Sequence, residues 1–250
     1  MRALAAFGRF EAGRLLRNWK FLAITVGFPV VFYMLFLGDH QAGRITDGTV
    51  PWRVYLMVAM CTFGSLVAGL TAAGGRLAGE RLAGWSRQLR VTPLPAWSYI
   101  SVKVTATMLV ILPVVVLVEV VGASFGGVHM PAASWVELSV LMWVVALPFA
   151  VLGVLIGLLV HPETAFPVVT GLMFLLGYFG GLFGPVDRMP RGLQTAAHLL
   201  PTYHGASLGL ALLDGRGFPV ESCLVLAAYT VGLGLAVLQA HRVDERRGVA

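Results

Sequence analysis

Residues 76–103 read R-L-A-G-E-R-L-A-G-W-S-R-Q-L-R-V-T-P-L-P-A-W-S-Y-I-S-V-K, the longest polar island between apolar runs. The island is patterned. Ala78, Leu82, Trp85 and Leu89 recur at 4, 3, 4 spacing, which predicts one stripe of an amphipathic helix. Arg76, Glu80 and Arg87 fall on the other side, with Arg76 and Glu80 spaced to pair at i,i+4. Thr92-Pro93 ends that helix, because a residue before proline is pushed out of the α region. A new apolar run starts at about Ser98. The spacing predicts a short helix over 76–90 at a membrane surface, wedged between two spans. Its plain alternative is a solvated basic loop of the kind every multispan protein carries.

Composition sets the class. Hydrophobic residues make up 58% of the 250 and charged residues 12%, about half the charge of a soluble domain. The apolar residues come in runs close to the roughly 20 residues that cross a bilayer as a helix. An all-α integral membrane protein follows. Cys61 and Cys223 both sit in apolar runs, so neither a disulfide framework nor a zinc site is implied. His40, His129 and His161 are scattered and show no metal-ligand spacing. The net charge of +6 comes from cations that flank apolar runs, which speaks for a membrane and against nucleic acid.

Taken in order, Met1 to Lys20 reads as a basic, imperfectly amphipathic surface helix rather than a cleaved signal, because no small-residue cleavage site follows the first span. Six spans are expected, at about Phe21 to Leu37, Val54 to Ala73, Tyr99 to Val121, Trp135 to Val160, Ala165 to Phe183 and Val220 to Gln239. Pro29 should kink the first and Pro148 interrupt the fourth. With both termini inside, the cytoplasmic segments hold Arg2, Arg9, Arg14, Arg17, Lys20, Arg76, Arg81, Arg87, Arg90, Lys103, Arg242, Arg246 and Arg247. The outer segments hold only Arg44, Arg53, Arg188, Arg191 and Arg216. That asymmetry predicts cytoplasmic termini and a cytoplasmic 76–90 helix.

Gly184 to Pro219 is too polar and proline-broken to span, yet too apolar for an open loop. Two short helices fit it, about Arg191 to Leu199 and Tyr203 to Leu213, dipping into the outer leaflet and returning. Such backbone survives at depth only when buried against protein or lining a wet cavity.

These stretches resemble the membrane subunits of type-2 ABC exporters, the drug-resistance and ABCG-like group that includes lipid and polysaccharide permeases. The segment E-R-L-A-G-W-S-R-Q-L-R-V-T-P-L-P, from Glu80 to Pro95, is similar to that family's glutamate, glycine four residues on, leucine, then Thr-Pro. The segment G-P-V-D-R-M-P-R-G-L-Q with H-L-L-P-T-Y resembles its paired proline boxes before the last span. The order of surface helix, six spans and re-entrant hairpin matches over essentially the whole chain. Trp85 departs from the pattern, since many relatives carry a small or hydroxyl residue there.

The resemblance implies a coupling helix at 76–90, with Glu80, Arg81, Gly84, Arg87 and Leu89 as contacts to an ATPase. It implies a plasma-membrane (bacterial inner-membrane) exporter, paired with a second copy of itself or a homologous permease. Two ABC ATPase subunits complete the complex. A substrate cavity between protomers would be lined from the second span by Met57, Cys61, Phe63 and Ser65. From the fifth span it would take Thr170, Phe174, Tyr178 and Phe179. The cargo is expected to be hydrophobic or amphipathic: a drug, antibiotic, lipid or modified peptide. A phosphate-cradling loop needs G-x-x-x-x-G-K before Ser or Thr, but Lys20 and Lys103 precede Phe21 and Val104. No cofactor is therefore expected on this chain, and ATP and Mg fall to the partner.

Other readings compete. Gly205-Ala206-Ser207-Leu208-Gly209 matches the G-x-S-x-G of serine hydrolases, with His198 and His204 nearby and His241 far off beyond the sixth span. A passive channel would need no docking helix. Glu119 and Glu137 are intramembrane acids, read either as structural partners or as functional groups. Gly177, Gly180, Gly181 and Gly184 suit close packing better than substrate contact.

Overall fold

The computed structural model describes residues 18–38, 44–45, 50–82, 96–215 and 219–247, with Gly13 and Gly217 standing alone. Most of the expected surface helix at 1–20 lies outside those residues, as do 83–95. The ordered elements are α1 (Trp19–Leu37), α2 (Trp52–Gly69), a π-helical turn (Leu70–Gly75), α3 (Arg76–Leu82), α4 (Ala96–Ser124), α5 (Ala132–Val145), α6 (Leu147–Leu159), α7 (Ala165–Phe179), α8 (Arg191–Ala197), α9 (Pro201–Leu213) and α10 (Val220–Arg247). A two-residue antiparallel pairing joins Arg44–Ile45 to Val50–Pro51. Five helical stretches are long and apolar enough to cross a bilayer, and α1 is a shorter apolar helix. The protein is an all-α, multi-pass membrane protein.

Contacts give the helix directions. Trp52 Nε1 donates to the Phe36 carbonyl at 2.9 Å, so the end of α1 meets the start of α2. Lys103 meets Glu80, and Gly122 faces Met57, so α4 runs back along α2. Trp143 Nε1 donates to the Met108 carbonyl at 2.8 Å, so α5 reverses again. The bundle therefore has a loop end, where residues 82 and 96 lie, and a hairpin end carrying α8 and α9. Indole and hydroxyl donors that cap exposed carbonyls across helices are the polar glue of such bundles.

α2 is the axle. Every residue from Tyr55 to Gly69 is buried. A helix surrounded on all sides shows no amphipathic stripe, so its sequence is uniformly apolar or small. Small residues let neighbours come close. A Cβ at Gly64 would sit 2.8 Å from a Val114 methyl, and one at Gly69 would sit 2.8 Å from the Phe149 backbone. The expected end of this span at Ala73 is not a break. The helix passes through the π turn into α3, so the first half of the expected surface helix continues the second span. The inserted turn lets Gly74 lie against the Gly153 carbonyl, where a Cβ would meet oxygen at 3.0 Å.

The fourth span breaks as expected. α5 stops at Val145, Ala146 bonds back to Met142 and Trp143, and Pro148 occupies the first turn of α6. At the hairpin end, α7 closes in a Schellman motif. Leu182 N–H reaches the Gly177 carbonyl at 2.9 Å and Gly181 N–H the Tyr178 carbonyl at 3.1 Å. Gly181 carries the required positive φ of 75°. Thr202 Oγ1 then donates to the Leu176 carbonyl at 2.8 Å, docking α9 on that turn. A Cβ at Gly180 would overlap this hydroxyl. Gly180→Ala is expected to unseat α9 from α7, read as faster protease cleavage within 191–219 in detergent; cleavage at the wild-type rate would refute the contact.

Candidate functional site

Two regions collect polar chemistry, one at each end of the bundle. At the loop end, Lys103 Nζ lies 2.7 Å from Glu80 Oε2, and both side chains are only 6% exposed. Glu80 lies near the end of α3 and Lys103 in the first part of α4, so the pair ties α3 to α4. Glu80 faces inward, together with Leu77 and Ala78. As a contact for a soluble partner, its carboxylate is placed under the surface and not on it. The backbone of Arg81 lies in α3, but its side chain, with Gly84, Arg87 and Leu89, falls outside the described residues.

The expected cavity residues separate into two groups. Met57, Cys61 and Ser65 are wholly enclosed within the chain. Met57 packs on Gly122, Cys61 Sγ points at the Val115 carbonyl at 3.9 Å, and Ser65 bonds back to the Cys61 carbonyl at 2.8 Å. Phe63 is buried too, but it belongs to an aromatic cluster. It meets Phe183 at 5.0 Å, Phe32 at 5.8 Å and Phe174 at 6.4 Å between ring centres. Phe174 and Tyr178 are exposed, while Thr170 and Phe179 are half-buried. α7 thus presents an uncovered aromatic face whose inner edge connects through Phe63 to the axle helix.

At the hairpin end a cavity of about 350 Å³ lies between the start of α2, the turn at 185–187 and α9. Tyr55, Asp187, Tyr203, Ser207 and Asp214 line it, among apolar side chains. Tyr55 donates its hydroxyl to the Gly181 carbonyl, which ties the cavity floor to the Schellman turn. Burial first, then the Asp187 and Glu221 carboxylates, pushes the Tyr203 phenol above its ordinary value.

Ser207 does not acquire a hydrolase base from either nearby histidine. His204 Nε2 lies 2.8 Å from the His198 carbonyl, and Nδ1 lies 2.9 Å from Ser222 Oγ. A carbonyl only accepts, so Nε2 carries the proton and a neutral ring accepts the Ser222 hydroxyl at Nδ1. Both nitrogens are engaged, Nδ1 pinning α9 to α10 and Nε2 pinning it to the end of α8. His198 packs its ring on Tyr203 at 4.4 Å. Among the described residues, no group of His, Cys, Asp and Glu could hold a metal ion.

The two intramembrane acids differ. Glu137 is exposed. Glu119 is 4% exposed and accepts a hydrogen bond from Ser139, tying α4 to α5. Sequence reasoning does not single out Lys103 or Tyr203 as site residues. A lysine inside the apolar run that begins at about Ser98 is the available signal for the first, because a cation in a span needs a partner. For Tyr203 the signal is weaker: it ends the H-L-L-P-T-Y stretch, but the Tyr55 and Asp187 that share its cavity lie outside that stretch.

With this geometry in place, comparison with known proteins adds two findings. A family model described as ABC-2 type transporter matches residues 5–213. The chain is also 29% identical over 223 residues to YvfS of Bacillus subtilis (strain 168), provisionally named a transport permease, covering 88% of this chain and 89% of that one.

Proposed function

The chain belongs to the ABC-2 type transporter family, and from that premise we propose that it is the membrane half of an ATP-driven exporter, worked through its loop end. The observation that carries this reading is the buried Glu80–Lys103 clip. It ties α3 to α4, the helices that precede and follow residues 83–95, and α3 is continuous with the most enclosed helix of the bundle. Force applied to that segment has a stiff path into the protein. A loosely tethered loop would absorb it.

In this proposal two ATPase subunits, carrying ATP and Mg, bind at the loop end, which faces the cytoplasm of a bacterial cell with both termini. Arg81, Gly84, Arg87 and Leu89 make the contacts, and Glu80 acts as a positioning residue through Lys103. A second copy of this chain, or a homologous permease, covers the aromatic face of α7, and cargo passes between the two along Phe63, Phe174 and Tyr178. Met57, Cys61 and Ser65 could touch cargo only if α4 separated from α2. The apolar, aromatic lining favours a hydrophobic or amphipathic cargo. To shift an inward-to-outward equilibrium almost fully, ATP binding must favour one state by about 5.5 kcal/mol.

The test is co-expression with a candidate ABC ATPase, followed by co-purification and ATP turnover in proteoliposomes with candidate amphipathic compounds. Arg81→Glu with Arg87→Glu is expected to lower ATPase recovery by at least about tenfold, since like-charge contacts at an interface cost several kcal/mol. Wild-type recovery and wild-type coupling in that variant would refute the docking assignment. Single cysteines at 87 and 192 in a Cys223→Ser background should be labelled from opposite sides of the membrane, and labelling from one side would refute the orientation.

A further inference from the structure

The hairpin-end cavity has a consistent chemical character. No basic side chain lines it among the described residues, while Asp187 and Asp214 do. Asp214 already has an interaction of its own. Asp187 sits at the exposed rim, on a turn pinned from outside. Gln194 Nε2 donates to the Asp187 and Met189 carbonyls at 3.2 and 2.8 Å. Tyr203 contributes an aromatic wall, fixed between the His198 ring at 4.4 Å and the His204 ring at 5.3 Å. Tyr55 supplies a second ring from the axle helix. Apolar side chains such as Val186, Leu210 and Ala211 fill the rest.

We propose that this cavity binds an organic ammonium group, held between the Asp187 carboxylate and the Tyr203 ring. Aromatic faces attract cations through the ring quadrupole, most strongly where water is excluded. A rim carboxylate adds charge attraction and repels anionic ligands. The negative field at the Tyr203 phenol, produced partly by Asp187 and Glu221, points the same way. A bare metal ion is not favoured, because walls that are largely apolar leave its coordination unfilled. The volume of about 350 Å³ is near the small end of ligand pockets, so it suits a small amine or one charged head of a larger molecule. The site lies within a single chain and does not depend on ATP coupling.

The full chain, purified in a neutral maltoside detergent without an ATPase, is titrated with choline and followed by saturation-transfer NMR. Its neutral carbon isostere, 3,3-dimethylbutan-1-ol, is the control. Choline is expected to bind, with the isostere and the Asp187→Asn variant each weaker by about five- to tenfold. Tyr203→Leu should lose affinity similarly, while Tyr203→Phe, which keeps the ring, should retain it. Added sodium chloride should weaken binding, since the rim carboxylate is exposed to screening. Equal affinity for choline and its isostere overturns the proposal, as does unchanged affinity in monodisperse Asp187→Asn protein. If Asp187→Asn fails to fold, the Tyr203 pair decides: equal losses in Phe and Leu overturn it. Repeating the titration in phosphatidylethanolamine and phosphatidylglycerol nanodiscs separates the sources. Choline binding blocked only by the ethanolamine lipid supports a lipid headgroup as occupant, and equal binding in both supports a free amine.

Discussion

Lys103→Met is expected to cost this protein about 3–5 kcal/mol of stability, whereas Glu80→Leu combined with Lys103→Met restores most of it. The physical reason is the burial of both charges at 6% exposure with 2.7 Å between them. Removing the ammonium alone takes from a carboxylate that is 6% exposed the cation 2.7 Å away, and a buried charge deprived of its counter-ion is costly. Removing both leaves two apolar groups that fill similar volume, and such replacements are often neutral or stabilising. The loss in the single variant is a large share of the roughly 5–15 kcal/mol that holds a typical domain. Thermal unfolding followed by size-exclusion in detergent reads this directly. A Lys103→Met protein that melts with the wild type would remove the buried clip. The double variant also separates two roles. If it folds but no longer couples ATP turnover to transport, the charges matter for force transmission; if coupling returns with the fold, the pair is structural only.

The second large effect falls where backbones touch. A Cβ added at Gly153 would overlap the Gly69 carbonyl oxygen and come within 3.0 Å of the Ala73 Cβ. Neither neighbour is the tip of a flexible side chain, so α6 must move away from the π turn as a whole. Gly153→Ala is expected to cost about 1–3 kcal/mol, in the range of overpacked cores, and Gly153→Val to prevent a monodisperse fold. Gly171 provides the control. It lies on the uncovered side of α7, and a Cβ added there would meet nothing within 4 Å. Gly171→Ala should therefore be neutral or stabilise by about 0.4–1 kcal/mol through lost unfolded-state entropy. The same melting assay scores all three. Equal stability for Gly153→Ala and Gly171→Ala would show that α6 and the π turn are not in close contact.

Much of the architecture is legible in the residues alone. Apolar runs of bilayer length place the spans, because a chain in lipid must satisfy its backbone bonds within each segment. The breaks at Pro148 and within 184–219 are legible too, since proline and polar clusters interrupt a span for local reasons. Continuity is not. Leu70 to Leu82 resembles the end of one helix and the start of another, because polar residues and paired glycines mimic a boundary. In the fold Gly74 and Gly75 lie in a π turn that carries the helix onward, and Glu80 is an inward-facing residue.

The candidate sites divide along the same line. The segment proposed for docking announces itself as a polar island, and the aromatic residues of α7 can be named from composition. The clip between Glu80 and Lys103 cannot, because its partners are 23 residues apart and their pairing depends on how α3 and α4 align. The hairpin-end cavity is equally hidden: Tyr55 comes from α2 and Asp187 and Tyr203 from the distant 184–219 segment, and only packing brings them together.

By itself the sequence determined that this chain lives in a bilayer and where its long apolar helices fall. Those properties follow from hydrophobicity and hydrogen-bond satisfaction summed over neighbouring residues. Tertiary structure alone decided which helix is the axle, which acid is buried and paired, and where a cavity remains. These depend on close contact between residues far apart along the chain, and in an apolar solvent that contact is set by shape and small-residue fit rather than by any periodic pattern a single strand of sequence displays.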